Sequence, residues 1–382
     1  MLAQVREISQ TKLASRAAII DREAIHPKES WRDLWEAGFL ATGIPKAYGG
    51  LELGPLTYLT VVEEIAKVCA NTAMTVHMHS MVTRMIAAIG TETQKAKYFS
   101  EVVKNGKLFG SWGSEPGVSI TSGGFRTTLT KQDADSYVVH GQKYFCTMAG
   151  AASYAMIWCT FAGAPPNTPA MTWIVIPTDS PGLQIHGTWD PLGMRGTISP
   201  SARIAACSVT QEQILGKIGD MGVYQLGVLE LFMMGWAAIC AGIAEGALEY
   251  ACNPSPENGG TAKPMLNLQE PIKQASIGEA VVALDSARAF LYQAATAWET
   301  ADPGVRRLWG TEAKASCSQA ALLTTNRLLE LIGGRAALKE FPLERAFRDV
   351  RTATLMPPPL ATMFETVGKS LQVKPGVQSI RL

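Results

Sequence analysis

The stretch that decides the fold is residues 333–359, GGRAALKEFPLERAFRDVRTATLMPPP. It opens with two adjacent glycines, continues with charged residues at helical spacing and ends in three prolines. Glycines end helices and allow close backbone approach, whereas proline is not tolerated in a helix interior. The stretch therefore predicts a glycine turn, then a charged helix, then a proline stop.

The composition indicates an apolar globular protein with several domains. The chain has 382 residues, of which 47% are hydrophobic and 18% charged, with a net charge of +1. A neutral balance favours neither nucleic acid nor an anionic membrane as partner. The low charged fraction predicts surface buried against other subunits.

Cysteine usage and the N-terminus predict a cytoplasmic location. The seven cysteines include no CxxC pair, which is typical of free thiols in a reducing compartment. The segment MLAQVREISQTK lacks the apolar region of a secretory signal. The most apolar run, Leu226–Ala244, is interrupted by Glu230 and its clean part is too short to span a membrane, so we expect a core helix.

Patterning along the chain predicts an α+β fold in three domains. Residues 1–110 carry apolar residues at helical spacing, and Thr91–Gln94 has the Thr-x-x-Gln form of a capping box that opens a helix. Residues 111–220 contain short β-rich runs, such as Tyr154–Phe161, separated by Gly, Pro and Asp, which predict an antiparallel β-barrel or sandwich. Residues 221–382 contain four long helical segments, which predict a four-helix bundle.

This order of domains, together with short strings along nearly the whole chain, resembles the acyl-CoA dehydrogenase family of flavoproteins. Each string alone is weak, but their order and spacing are specific. The strings are GIPKAYGG at 43–50, SEP at 114–116, GQKYFCT at 141–147, LGMRGT at 192–197, and GG at 333–334 with PLERAFRD at 342–349.

The resemblance implies a homodimer or homotetramer. It also implies FAD as cofactor, held by residues of the β-domain. It places Ser114 and Thr147 beside the flavin ring, with Thr147 near N5 and Phe145 stacked close by. Ser119 is a candidate for phosphate contact, although residues 119–121 read Ser-Ile-Thr where the family has Gly-Ser-Asp. Without the resemblance, Ser and Thr at strand ends are ordinary turn residues.

The C-terminal stretch has both a structural and a cofactor interpretation. Gly333–Gly334 ends a helix as a glycine cap, and the resemblance implies that it also approaches the ADP part of a neighbouring subunit's flavin. Glu344 with Arg348, and Arg345 with Asp349, are spaced as i,i+4 ion pairs. We expect these charges to form a structural network.

The residues that should perform the family's usual chemistry are missing. Classical members remove an α-proton from a thioester with a carboxylate base while hydride passes to flavin N5. The common position of that base falls in Met356–Pro359, and the minority position is Phe232, with Glu230 on the other side of the same helix. The family's diphosphate anchor falls on Gly260 and Lys263–Pro264, so we expect flavin to be held loosely.

The catalytic residue stays unknown, with Glu230, Arg195 and His79 as candidates. Arg195 is an isolated charge near the predicted cleft, and a role in substrate contact, at an interface or in the fold is open. His77 and His79 lie two apart on a helix and face different sides, which argues against a metal site. We expect no metal.

Three functions follow. In the first, reduced flavin, FAD or FMN, from a separate reductase reacts with O2 to oxygenate or oxidise a small or carrier-tethered substrate. In the second, a dehydrogenase or decarboxylating desaturase acts on a CoA- or carrier-protein-bound acyl group, with Glu230, Glu365 or the substrate's own carboxylate as base. In the third, the chain is a non-catalytic subunit, against which the retained flavin residues argue.

Overall fold

The computed structural model describes residues 1–118, 124–165, 170–219, 226–253 and 264–372. Ser119, Gly260 and Lys263 lie outside the described residues. The chain forms a helical domain, a β-domain and a second helical domain, so the predicted architecture is confirmed.

The N-terminal helices form the first layer. They begin with a nearly continuous helix in which a π-helical turn at Ser9–Leu13 separates α1 from α2. The α6 helix starts with the predicted capping box, in which Thr91 and Gln94 exchange side-chain and backbone hydrogen bonds. The bounds are α1 Leu2–Ile8, α2 Ala14–Glu23, α3 Lys28–Glu36, α4 Pro55–Val68, α5 Ala70–Ile89 and α6 Glu92–Asn105.

The middle domain is one eight-stranded sheet with strand order β6-β7-β3-β2-β4-β5-β8 and β1 beside β4. Most of its strand pairings are antiparallel, as predicted, but the pairings β1–β4 and β2–β4 are parallel, which the sequence did not predict. Parallel pairs need long connections, and β2 and β3 lie between β1 and β4 along the chain. The strands are β1 Phe109–Trp112, β2 Thr128–Lys131, β3 Ser136–Lys143, β4 Tyr154–Phe161, β5 Met171–Pro177, β6 Leu183–His186, β7 Ser201–Thr210 and β8 Ile214–Leu215.

The C-terminal domain is built around one buried helix, α7. Its length and apolar composition would suffice to cross a membrane, but 72% of its most apolar window is buried against other helices. This agrees with the predicted core helix. The helices are α7 Val228–Cys252, α8 Pro271–Thr296, α9 Pro303–Ile332, α10 Pro342–Ala353 and α11 Leu360–Ser370. The sequence did not predict α11, which follows the prolines.

A charged cluster on α10 ties the three domains together. Arg348 donates to Asp21 of α2 at 2.6 Å and to Glu344 at 2.6 Å, as the i,i+4 spacing predicted. It also donates to the backbone oxygen of Leu192 in the β-domain. Asp349 is buried and its carboxylate accepts from the backbone N–H of Met194 at 2.6 Å. The structure thus gives Asp349 this backbone partner instead of the predicted ion pair with Arg345.

Candidate functional site

Three segments of the β-domain meet at one edge of the sheet: the residues after β1, the turn after β3 and the residues before β7. The Tyr144 N–H donates to the Ser114 carbonyl at 3.0 Å, and the Cys146 N–H donates to the Pro200 carbonyl at 2.9 Å. These bonds bring Ser114 next to the turn that holds Phe145 and Thr147.

A chain of hydroxyl groups lies behind this edge. The Ser199 hydroxyl donates to the Thr147 hydroxyl at 3.1 Å and lies 3.0 Å from the Thr197 hydroxyl, which donates to the Met194 carbonyl. The indole N–H of Trp112 donates to the Thr147 carbonyl at 3.0 Å. Thr147 is therefore held on both its backbone and its side chain, and its hydroxyl still has a hydrogen to donate.

Phe145 presents an aromatic ring at the same edge. Its φ of 55° is unusual for a bulky residue, and its side chain is 64% exposed. Trp189 packs against it edge-on with the ring centroids 6.3 Å apart. An exposed flat ring beside a fixed hydroxyl suits a flat group with a polar edge, so Ser114, Phe145 and Thr147 fit the ring of a flavin.

Gly333 and Gly334 lie apart from this edge, at the end of α9. Gly333 has φ +76°, which glycine adopts without strain, and a Cβ added at either position would meet no atom within 4 Å. The open backbone leaves room for another group to approach. Within one chain the structure does not join these glycines to the Phe145 edge; the predicted role toward a neighbouring subunit's flavin stays a prediction.

A second cluster, the aromatic wall, consists of His77, Phe232 and Trp236. The His77 ring stacks on Phe232 at 4.8 Å, and Phe232 lies 4.4 Å from Trp236. His77 Nε2 donates to the Phe232 carbonyl at 2.9 Å, so its Nδ1 accepts from the Tyr58 hydroxyl at 2.6 Å. A side chain at Gly235 would collide with the imidazole at 2.0 Å.

Both helix histidines are structural. Burial lowers the pKa of His77 to about 3 and that of His79 to about 4, so each imidazole is neutral. His79 Nδ1 accepts from the Phe109 N–H at 3.1 Å, and its Nε2 donates to the Leu40 carbonyl at 3.0 Å. With both ring nitrogens bound, the candidate role of His79 in catalysis is not supported.

The two acidic candidates for the base lie on α7 and α11. Glu230 is buried and faces α9, where Arg307 Nε lies 3.5 Å away, and burial raises the pKa of this carboxyl. Among the described residues, its Oε2 has no hydrogen-bond partner. Glu365 is exposed on α11 and pairs with Lys369 at 2.5 Å. An exposed, paired carboxylate does not meet the need for a base in a dry pocket.

Arg195 contacts protein groups on two domains. It donates to Asp190 at 2.5 Å and to the backbone oxygen of Asp21 in α2 at 2.9 Å. This geometry favours a role of Arg195 in the fold over substrate contact. In the described ranges of the chain, no group of three or more His, Cys, Asp or Glu side chains is placed to hold a metal ion.

Lys314, on α9, is a buried residue that the sequence reasoning missed. Its ammonium donates to the carbonyls of Met356 at 2.6 Å and Pro358 at 3.0 Å, and it lies 4.5 Å from the centre of the Trp236 ring. The available signal was its position among small residues in GTEAKASCSQAA, residues 310–321. Lys314 thus binds the proline turn through its carbonyls and lies against Trp236 of the aromatic wall.

Three family models match the chain: the acyl-CoA dehydrogenase N-terminal domain at residues 1–106, the middle domain at 110–206 and the C-terminal domain at 234–356. The human mitochondrial short-chain specific acyl-CoA dehydrogenase is 28% identical over 352 residues, covering 92% of this chain and 84% of that protein. The acryloyl-CoA reductase (NADH) of Anaerotignum propionicum is 29% identical over 349 residues, covering 91% and 87%. The solved structure of the dibenzothiophene monooxygenase TdsC from Paenibacillus sp. A11-2 is 25% identical, with a TM-score of 0.83 over 97% of each chain.

Proposed function

This chain belongs to the acyl-CoA dehydrogenase family of flavoproteins, and on that premise we propose that it uses reduced flavin and O2 to oxygenate or oxidise a small or carrier-tethered substrate. The family's members are flavin-dependent oxidoreductases, both dehydrogenases and monooxygenases. The proposal concerns which of these two chemistries the chain performs.

The proposal rests on which residues occupy the two positions where members of the family carry their catalytic base. Phe232 fills one and stacks on the neutral His77. The other falls in the proline turn, whose carbonyls accept hydrogen bonds from Lys314. An aromatic ring and a proline cannot accept an α-proton. Oxygenation by reduced flavin needs no carboxylate at either position.

The described residues fit a flavin ring at the Phe145 edge. Thr147 offers a hydroxyl donor, Phe145 offers a face for stacking, and Ser114 lies at the adjoining backbone. Bound flavin, FAD or FMN, would supply the electron transfer to oxygen or from substrate. The chain's own part is to orient the ring and the substrate and to exclude water.

The aromatic wall favours an apolar substrate. His77, Phe232 and Trp236 present no charged group, because burial keeps the imidazole neutral and its two nitrogens are bound. Such a wall excludes water and protects reactive oxygen-derived species from side reactions. One neighbour, TdsC, is solved with FMN and indole at a TM-score of 0.85 and 25% identity, which supports an aromatic or heteroaromatic substrate class.

The alternative is a dehydrogenase acting on a CoA- or carrier-bound acyl group. The human short-chain relative, at 28% identity, favours it. In this chain the base would be Glu230 or the substrate's own carboxylate. The raised pKa of Glu230 suits a general base, but its carboxyl faces Arg307. A non-catalytic subunit is the third possibility. Absence of flavin binding by the purified protein would favour it over the two enzymes.

Two spectroscopic experiments on the purified protein separate these functions. Mixing the protein with reduced FAD or FMN and then with O2 should give a transient absorbance band that decays to oxidised flavin. Adding butyryl-CoA to the oxidised flavin-loaded protein without O2 should leave the visible bands unchanged. Bleaching of the flavin by butyryl-CoA would refute the oxygenase proposal, and absence of flavin binding in both experiments would favour the non-catalytic subunit.

A further inference from the structure

Lys314 is a lysine buried in an apolar environment, without an acidic partner among the residues that the structure describes. Its side chain has 0% relative exposure. Among the described residues, the titratable group that interacts electrostatically with the Lys314 ammonium is the Cys240 thiol on α7, and no carboxylate does so. Buried lysines are rare unless they are paired with an acid, because burying an unpaired charge is costly. The contacts that stabilise Lys314 therefore need to be identified.

The contacts of Lys314 account for all three directions in which an ammonium can donate. Two N–H groups bind the carbonyls of Met356 and Pro358, and the charge lies over the face of the Trp236 ring. Both carbonyls belong to the turn at residues 356–358, between α10 and α11. The side chain therefore connects this turn to α7.

The same side chain connects the turn to the aromatic wall. Trp236 lies 4.4 Å from Phe232, which stacks on His77 at 4.8 Å. A shift of the turn moves Lys314 relative to the Trp236 ring and so disturbs the packing of the wall. Lys314 thus contacts Trp236 directly and is linked to Phe232 through Trp236.

Lys314 also has the electrostatic character of a group that titrates near neutral pH. Burial lowers its pKa to about 7, while the two carbonyls and the indole face favour the charged form. Burial raises the pKa of Cys240 to about 11, so that thiol stays neutral. On the neighbouring helices, Arg348 of α10 pairs with Asp21 and Glu344, and Arg288 of α8 pairs with Glu63.

We propose that Lys314 is a positioning residue, which holds the 356–358 turn against Trp236 and whose protonation sets the contact between the turn and the aromatic wall. The neutral amine has two N–H groups and can keep both carbonyls, but it loses the charge over the indole. The turn therefore stays bound at high pH while the Trp236 contact weakens. The inference rests on the proposed function only in treating the aromatic wall as part of the site.

The first test measures the titration of Lys314 without any ligand. Protein labelled with 13C at the lysine Cε is titrated by NMR between pH 6 and 11, and the resonance of Lys314 is assigned by its absence in Lys314→Arg. We expect its midpoint between about 7 and 9, well below that of ordinary lysines near 10.4. A midpoint of about 10 or above would overturn the proposal.

The second test measures whether the titration reaches Trp236. The fluorescence of Trp236 is taken as the difference between the wild type and Trp236→Phe, and it is followed over the same pH range. We expect a change with the midpoint of Lys314 that is absent in Lys314→Arg, because guanidinium keeps its charge. An unchanged transition in Lys314→Arg, or no transition in the wild type, would overturn the proposal. Neither measurement needs flavin, so failure here is distinct from failure of the proposed function.

Discussion

Replacing Thr147 by Val tests the predicted flavin edge most sharply. The change keeps the shape of the side chain and removes its hydroxyl. In the free protein, Ser199 then loses one partner but still lies 3.0 Å from the Thr197 hydroxyl. The loss of one hydrogen bond should lower the free energy of unfolding by about 1 kcal/mol. If the hydroxyl also binds flavin, the loss of that bond should weaken flavin affinity about fivefold to tenfold.

The assay is a titration of FAD and FMN into the purified protein, followed by flavin fluorescence, with thermal unfolding measured beside it. Thr197→Val is the matched control, because it removes another hydroxyl from the same hydrogen-bonded row of hydroxyl groups, on the other side of Ser199 from Thr147. We expect Thr197→Val, which also loses the bond to the Met194 carbonyl, to lose at least as much stability as Thr147→Val, and only Thr147→Val to lose flavin affinity. Wild-type flavin affinity in Thr147→Val, or an equal loss in both variants, would refute the assignment of Thr147 to the flavin edge.

Three further substitutions test other parts of the account. Arg348→Met leaves Asp21 without its guanidinium partner and should lower the free energy of unfolding by about 3 kcal/mol, measured by urea unfolding; a loss below about 1 kcal/mol would contradict the role of Arg348 in joining the domains. Phe145→Ala should weaken flavin binding while the melting temperature stays near that of the wild type, because the ring is 64% exposed; an unchanged flavin affinity would remove the ring from the site. Glu230→Gln should leave turnover with reduced flavin and O2 within about twofold, since the carboxyl faces Arg307, and a loss of about a hundredfold or more would identify Glu230 as the base.

Much of the fold could be predicted from local patterns. The capping box at Thr91 and the strand Tyr154–Phe161 were read from residue type and period alone, and the structure confirms both. Which strands pair is decided by tertiary contacts, and for this reason the parallel partners of β4 were missed. The α11 helix was missed because it follows the prolines and buries little of its apolar surface, with Met363 its one buried residue.

The candidate site, like the fold, could be predicted from the sequence only in part. Ser114 and Thr147 were singled out by strings typical of the family, and the structure places their segments side by side, while their role toward flavin stays a prediction. The hydrogen bond between the Ser199 and Thr147 hydroxyls was missed because these residues lie 52 positions apart in the sequence. Lys314 was missed because a lysine in a helix is ordinarily a surface residue, and only the packed bundle shows what surrounds it.

The most direct test of the central claim is exchange of the α-proton of a thioester. Flavin-loaded protein is incubated with butyryl-CoA in D2O without O2, and deuterium at the α-carbon is measured by mass spectrometry. With Phe232 and the proline turn at the two base positions, we predict exchange no faster than in buffer with free flavin. Deuterium incorporation above that level would show that the chain has a working base and would contradict the account.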